Sequence, residues 1–304
     1  MKLLVMSVMV VLAAAGAVGR AQELEATYQS LKDAEAKGDT AAVKKFAAET
    51  SALARKTEAE PAPADPDEKE AWTARVAYAK DVDAQTEYAL YEVALKSPPP
   101  AMADLLSTLE EQNPKCKYLD EAYGSYLYAL SQSGGTAKIP LVAEKALANF
   151  PDNTDLLLVM VNYSFSAKQG EKAQGYANRL VVAVGKRSRP NGVSEADWEK
   201  QKNASLGRGY WVSGMVSGEK NQYAAADKSL REALPYIKDN SAMMAPALFY
   251  LGTANYNLGK MTMSKAKVLE GAKFSDQCAA IPGDLAQQAS RNSTAMKAEA
   301  AKMR

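Results

Sequence analysis

Apolar and small residues return along this chain at helical intervals. Counting back from the Ala233-Leu234 pair that ends an amphipathic segment, Ala226 lies seven residues earlier, Tyr223 ten, Gly214 nineteen and Tyr210 twenty-three. Alanine is abundant, prolines fall between the periodic segments, and no Asn-Gly or Asp-Gly pair separates two alternating apolar runs. That pattern predicts helix throughout. Only residues 156–165 (LLLVMVNYSF), with 180–184 (LVVAV) as a partner, have the composition of strands. The repeating cadence assigns the first stretch to one helix and the second to the end of the next.

The spacing recurs. A unit at 207–240 holds Tyr210, Gly214, Tyr223, Ala226 and Ala233-Leu234. A unit at 245–278 places Leu248, Leu251, Gly252, Gly259 and Gly271-Ala272 correspondingly, but departs at Met261 and Ser264. Upstream, 120–153 contains Tyr123, Tyr126, Leu127, Leu130, Ala146-Leu147 and Pro151, and 154–187 contains Leu157, Met160, Val161, Ala173, Ala177 and Leu180. A weaker unit at 83–116 holds Ala89, Leu90, Val93, Leu106, Leu109 and Pro114, with Pro98-Pro99-Pro100 in its turn. On these residues the chain resembles the tetratricopeptide repeat family, whose units of about 34 residues fold as helical hairpins. The resemblance implies an all-α solenoid of stacked antiparallel hairpins with a right-handed superhelical course. Glycine inside a helix costs roughly 1 kcal/mol relative to alanine, so Gly214 and Gly252 point to close helix crossings.

Around the repeat domain (67–278) other segments differ in kind. Lys2, an uncharged stretch over 3–19 and the small-x-small exit Gly19-Arg20-Ala21 read as a secretory signal peptide, 1–21, cut before Gln22. An uncleaved anchor is the rival, although the stretch is shorter than the ~20 residues a spanning helix needs. A helical hairpin is expected over 22–57, broken at Gly38-Asp39, then a stiff Pro/Ala linker over 58–66. An insertion at 188–206 opens with a basic turn (Lys186, Arg187, Arg189), and Ser194 with Asp197 resembles a capping box. A helix starting there should run through Trp198 into the next unit. The C-terminal segment, 279–304, reads as a polar capping helix or a fraying tail.

Composition narrows the chemistry. Histidine is absent and there are two cysteines, which removes Ser-His-Asp and Cys-His catalysis and every His-containing or four-thiolate metal site. With 37 basic against 36 acidic residues there is no field for nucleic acid. Neither a cofactor nor a metal is expected, and after signal cleavage no stable membrane insertion. Ser217-Gly-Glu-Lys220 has the spacing of a serine-enzyme motif without its companion motifs, and Gly207-Arg-Gly209 follows no strand. Glu110-Glu111 and Asp65 with Asp67 read as solvated surface. Cys116 and Cys278 each close a unit, with three units between them, so two free thiols are expected.

What remains is binding, and the expected role is a non-enzymatic adaptor of the bacterial envelope, in the periplasm or secreted. The resemblance implies that first helices line a concave face holding another protein or a peptide, an apolar segment by the residues present. Carried over, the groove positions are Tyr128, Leu158, Asn162, Phe165, Trp211, Met215, Phe249, Thr253 and Tyr256. Removing Trp211 and Phe249 is expected to abolish capture with the fold intact. Packing of these residues against neighbouring helices is the rival reading. Self-association and, last, an enzyme using Ser, Lys and carboxylates are the other function classes.

Overall fold

A computed structural model describes residues 2–190 and 192–303, with side chains from residue 19 onward. Among the described residues there are thirteen α-helices and no strand. Contacts divide the chain into two units, one ending at Ile139 and one starting at Pro140.

The first unit contains α1 (Lys2–Lys37), α2 (Thr40–Glu58), α3 (Pro66–Leu95), α4 (Pro99–Gln112) and α5 (Lys117–Gln132), followed by a 3-10 turn, Thr136–Lys138. Each helix packs on its successor, and α1 also touches α3, α2 touches α4, and α3 touches α5. Leu24, Ala54, Ala79 and Val82 form a buried cluster drawn from α1, α2 and α3. The N-terminal hairpin is therefore continuous with the helices after it. The segment expected as a linker joins two helices packed on each other and is pinned through Glu60. Its carbonyl accepts from Trp72 Nε1 at 3.2 Å, and its carboxylate meets Arg75 at 3.1 Å and Arg20 at 3.2 Å. The expected cut between Ala21 and Gln22 falls inside α1. The side chains of the apolar stretch before Gly19 lie outside the described residues. Among the described residues no helix is long and apolar enough to cross a membrane.

The second unit contains α6 (Ile139–Ala146), α7 (Thr154–Ser166), α8 (Gly170–Lys186), α9 (Glu195–Glu219), α10 (Tyr223–Ile237), α11 (Ser241–Met261), α12 (Lys265–Ala279) and α13 (Ala286–Lys302). The strand-like stretches 156–165 and 180–184 are helix, within α7 and α8. From α7 onward each helix packs on the next across short connections, which makes successive pairs antiparallel hairpins. Beyond nearest neighbours, α7 touches α9, α9 touches α11, and α11 touches α13, while α8, α10 and α12 do not touch one another. First helices thus form the tighter layer of this helical repeat. Pro235 and Pro246 sit inside α10 and α11 rather than between periodic segments.

One turn recurs through both units. After α1, α5, α7, α9 and α11 the chain takes a left-handed residue: Gly38, Gly134, Lys168, Asn221 and Met263, with φ between 53° and 78°. The following amide bonds back to the carbonyl five residues earlier: Asp39 to Ala34, Gly135 to Leu130, Gln169 to Ser164, Gln222 to Ser217 and Ser264 to Gly259, at 2.7–3.0 Å. This is the Schellman closure, which satisfies orphan carbonyls at a helix end. It sets the register of the last hairpin. Met263 lies four residues later than the spacing from Gly252 predicts, because α11 runs one turn further past Gly252 than α9 runs past Gly214. Met261 ends that helix and Ser264 caps α12, accepting from Lys267 N, so both departures from the pattern belong to the turn.

Close crossings account for the helical glycines. A Cβ on Gly214 would lie 2.5 Å from Leu230 Cγ, and one on Gly252 would lie 2.5 Å from Ser275 Oγ. Ser194 caps α9 as expected, its hydroxyl accepting from Asp197 N at 3.1 Å, and the helix runs unbroken through Trp198 into the repeat. The C-terminal helix is packed, since Met296 and Ala300 of α13 join Val268 and Ala272 of α12 in one buried cluster.

Candidate functional site

Two i, i+3 pairs meet across the first-helix layer of the second unit. On α7 they are Asn162 and Phe165, and on α9 Arg208 and Trp211; residues at that spacing share one helix face. Arg208 Nε donates to Asn162 Oδ1 at 2.7 Å. Its guanidinium carbon lies 5.4 Å from the centre of the Phe165 ring and 5.0 Å from the Trp211 ring. The two rings meet edge to face, 5.2 Å between centroids. Trp211 is only 7% exposed and its Nε1–H donates to Met243 O at the start of α11, 2.8 Å away, so it is a fixed wall. Glycines on either side of the arginine allow this placement. A Cβ on Gly207 would be 2.7 Å from Tyr236 Cβ, and one on Gly209 would be 2.8 Å from Val181 Cγ2, so α9 is wedged between α8 and α10.

The electrostatics of Arg208 are unusual for this protein. Burial pushes its pKa below the ordinary arginine value. Among the described residues no carboxylate forms an ion pair with it. Arginine does not give up its proton in proteins, so a partly desolvated charge persists there. Cation–π contact with two rings offsets part of that cost, on the order of 0.5–2 kcal/mol each. Arg231 makes the contrast. It also lies over a ring, Phe274 at 4.9 Å, but its guanidinium meets Asp227 and Glu270, each at 2.8 Å, and donates to the buried Asn255.

The other groove positions spread in burial. Leu158 is half-buried and Met215 buried. Phe249 is half-buried and edge-on to Tyr250, and its carbonyl accepts from Thr253 Oγ1 at 3.1 Å. Tyr256 is partly buried and packs against the cluster of Val268, Ala272, Met296 and Ala300. Tyr128 belongs to the first unit, where it is 60% exposed on α5. Asn162, Phe165 and Trp211 are the positions the fold brings together. Trp211 is packed core as well as site wall, and truncating it to alanine would cost on the order of 3–5 kcal/mol, so the Trp211/Phe249 double variant would not leave the fold intact as expected. In the sequence Arg208 stands only as the middle of a Gly-Arg-Gly triplet, and its position one helical turn before Trp211 is the signal it offers.

The remaining chemical candidates have structural employment. Ser217 is fully buried and accepts from Gln174 Nε2 at 2.8 Å, while Lys220 pairs with Glu171 at 3.2 Å. In the basic turn, Arg187 bonds Thr154 Oγ1, lies 3.6 Å from Asp155 and stacks near Trp198, and Arg189 donates to Val193 O. Glu110 is not solvated: it is buried and accepts from Tyr123 OH at 3.0 Å. Asp65 caps α3 through Asp67 N. Cys116 and Cys278 are both buried free thiols. No group of three Cys, Asp or Glu side chains that could hold a metal occurs among the described residues. No protein-family model matches the chain, and no curated protein resembles it significantly.

Proposed function

We propose that the protein is a non-enzymatic adaptor that holds a segment of another protein against the first-helix layer of its second unit. The observation that supports this most is the Asn162–Arg208 pair between Phe165 and Trp211. A charge is retained there at a desolvation cost, without a counter-charge among the described residues, on the tighter layer of a helical repeat. Such layers are the surfaces on which repeat proteins take extended or helical partners. The tetratricopeptide spacing of the sequence supports the same assignment, and the charged start, apolar stretch and small-x-small exit at the N-terminus support export to the envelope.

The test is capture of partner proteins from envelope extract on immobilised full chain and two variants. Asn162→Arg adds bulk and charge at an exposed position of the first-helix layer. Val182→Arg does the same on α8, where Val182 is 55% exposed. Asn162→Arg should lose the captured proteins and Val182→Arg keep them, with both variants retaining the parent's helical circular-dichroism spectrum. Loss on Val182→Arg alone, or capture indifferent to both, would contradict the assignment.

A further inference from the structure

Met261, Thr262 and Met263 lie at the turn between α11 and α12, and both methionines stand in solvent, 73% and 80% exposed. No other large apolar side chain among the described residues is as exposed. Met160, Met215 and Met296 are buried, the usual place of this side chain. Met263 also holds the left-handed turn position that Gly38 and Gly134 fill after α1 and α5, a conformation that costs energy for a residue with a Cβ. Neither packing nor backbone preference accounts for the pair. Flanking contacts bring a third methionine to the same place. Lys260, just before Met261, pairs with Glu299, and Lys265, two residues after Met263, donates from Nζ to the Met303 carbonyl at 3.1 Å. Glu299 and Met303 are one helical turn apart at the end of α13. Two straps thus bracket the Met-Thr-Met turn and tie it to Met303, whose half-buried side chain packs against the cluster that includes Val268, near the start of α12.

We propose that Met261, Met263 and Met303 are the ligands of a Cu(I) site at this end of the last hairpin, independent of partner binding on α7 and α9. The thioether is a soft, uncharged donor that selects Cu(I) over hard cations and over ions that prefer nitrogen or oxygen. The chain has no histidine, and no group of three Cys, Asp or Glu gathers among the described residues, so thioethers are the donor class on offer here. Charge points the same way. Glu299 neutralises Lys260, and Lys265 leaves one positive charge beside the site. That charge opposes a divalent ion about twice as strongly as a monovalent one. Methionine is unbranched and turns about three bonds, so the three sulfurs can close on an ion by side-chain rotation. A thioether carries no proton. Its metal binding therefore persists in mild acid, where a thiolate site loses its ion.

The probe is Cu(I), added anaerobically as its acetonitrile complex to the full chain labelled at the methionine methyl groups. The methyl resonances of Met261, Met263 and Met303, assigned from single Met→Leu variants, should shift together and saturate at one ion per chain. Those of the buried Met160 and Met215 should stay in place. Leucine keeps the volume of methionine, and at the exposed positions 261 and 263 the exchange leaves the core alone. Met261→Leu and Met263→Leu should each weaken binding about tenfold or more, the loss that removing even an outer partner causes at a metal site. The double variant should lose binding while keeping the parent's circular-dichroism spectrum. Affinity should be equal at about pH 7 and about pH 5, far below the thiol range, and Zn(II) should leave the three methyl groups unmoved. Binding that is lost in the acid sample would put the copper on Cys116 or Cys278 and overturn the proposal. So would a response without Met303, an equal response to Zn(II), or an affinity unchanged in the double variant.

Discussion

Gly214 of α9 and Leu230 of α10 approach so closely that a Cβ on the glycine would lie 2.5 Å from Leu230 Cγ and 3.0 Å from its backbone nitrogen. Helix propensity alone favours replacing this glycine by alanine, by roughly 1 kcal/mol. The overlap reverses the sign, because backbone cannot yield as a flexible side-chain end can. Gly214→Leu should cost on the order of 1–3 kcal/mol by overpacking. Gly175, in the middle of α8 with nothing within 4 Å of its added Cβ, is the internal control. Gly175→Ala should stabilise by about 0.5–1 kcal/mol. Urea midpoints that move oppositely for the two variants check the crossing; a gain in both would refute it.

Met263 occupies a left-handed backbone position, φ 53°, where the equivalent turns after α1 and α5 have glycine. Its side chain is 80% exposed, so little packing is lost on removing it. A residue with a Cβ costs about 1–2 kcal/mol in that conformation. Met263→Gly should raise the melting temperature, and Met263→Val, with its branched Cβ, should lower it.

The C-terminal helix is held partly by charge. Hydrogen bonds from Lys297 and Ser293 hold the Asp276 carboxyl below its ordinary value, and Lys260 does the same for Glu299. A depressed carboxylate pKa contributes stability that is fully present above the unfolded value, about 4, and is lost as pH falls through the folded one. Both pairs are exposed, so the effect is local and modest. Amide exchange should show α13 losing protection below about pH 4, ahead of α9 and α10. Uniform loss across the unit would contradict this.

Thiol chemistry gives a further check. Burial and the Glu87 carboxylate push Cys116 up to about 12, and burial raises Cys278 as well. The thiolate is the reactive species, so neither should react readily at pH 8 in the folded protein. A disulfide-exchange reagent should titrate two thiols only after denaturant is added. Rapid reaction of either in the native state would place it outside the core.

Much of this architecture was legible because its determinants are local and periodic. Hairpin boundaries follow from Ala177, Leu180, Ala226 and Ala233, all fully buried at the spacing the pattern requires. The extra turn of α11 was not legible, since Gly252 and Gly259 each make a close crossing and either could have set the count. Glu110 looked solvated beside Glu111 because its partner, Tyr123, lies on the next helix. Arg208 was hidden for the same reason at longer range. A lone arginine between glycines is unremarked in sequence, and its meaning depends on an asparagine 46 residues away and on two rings that no short motif joins to it.

The most direct test of the account is amide hydrogen exchange on the full chain with and without a partner captured from envelope extract. Binding through the first helices should add protection in α7 and α9, centred on residues 158–166 and 205–215, and leave α8 and α10 unchanged. Protection confined to α8, α10 and α12, or to the first unit alone, would contradict it.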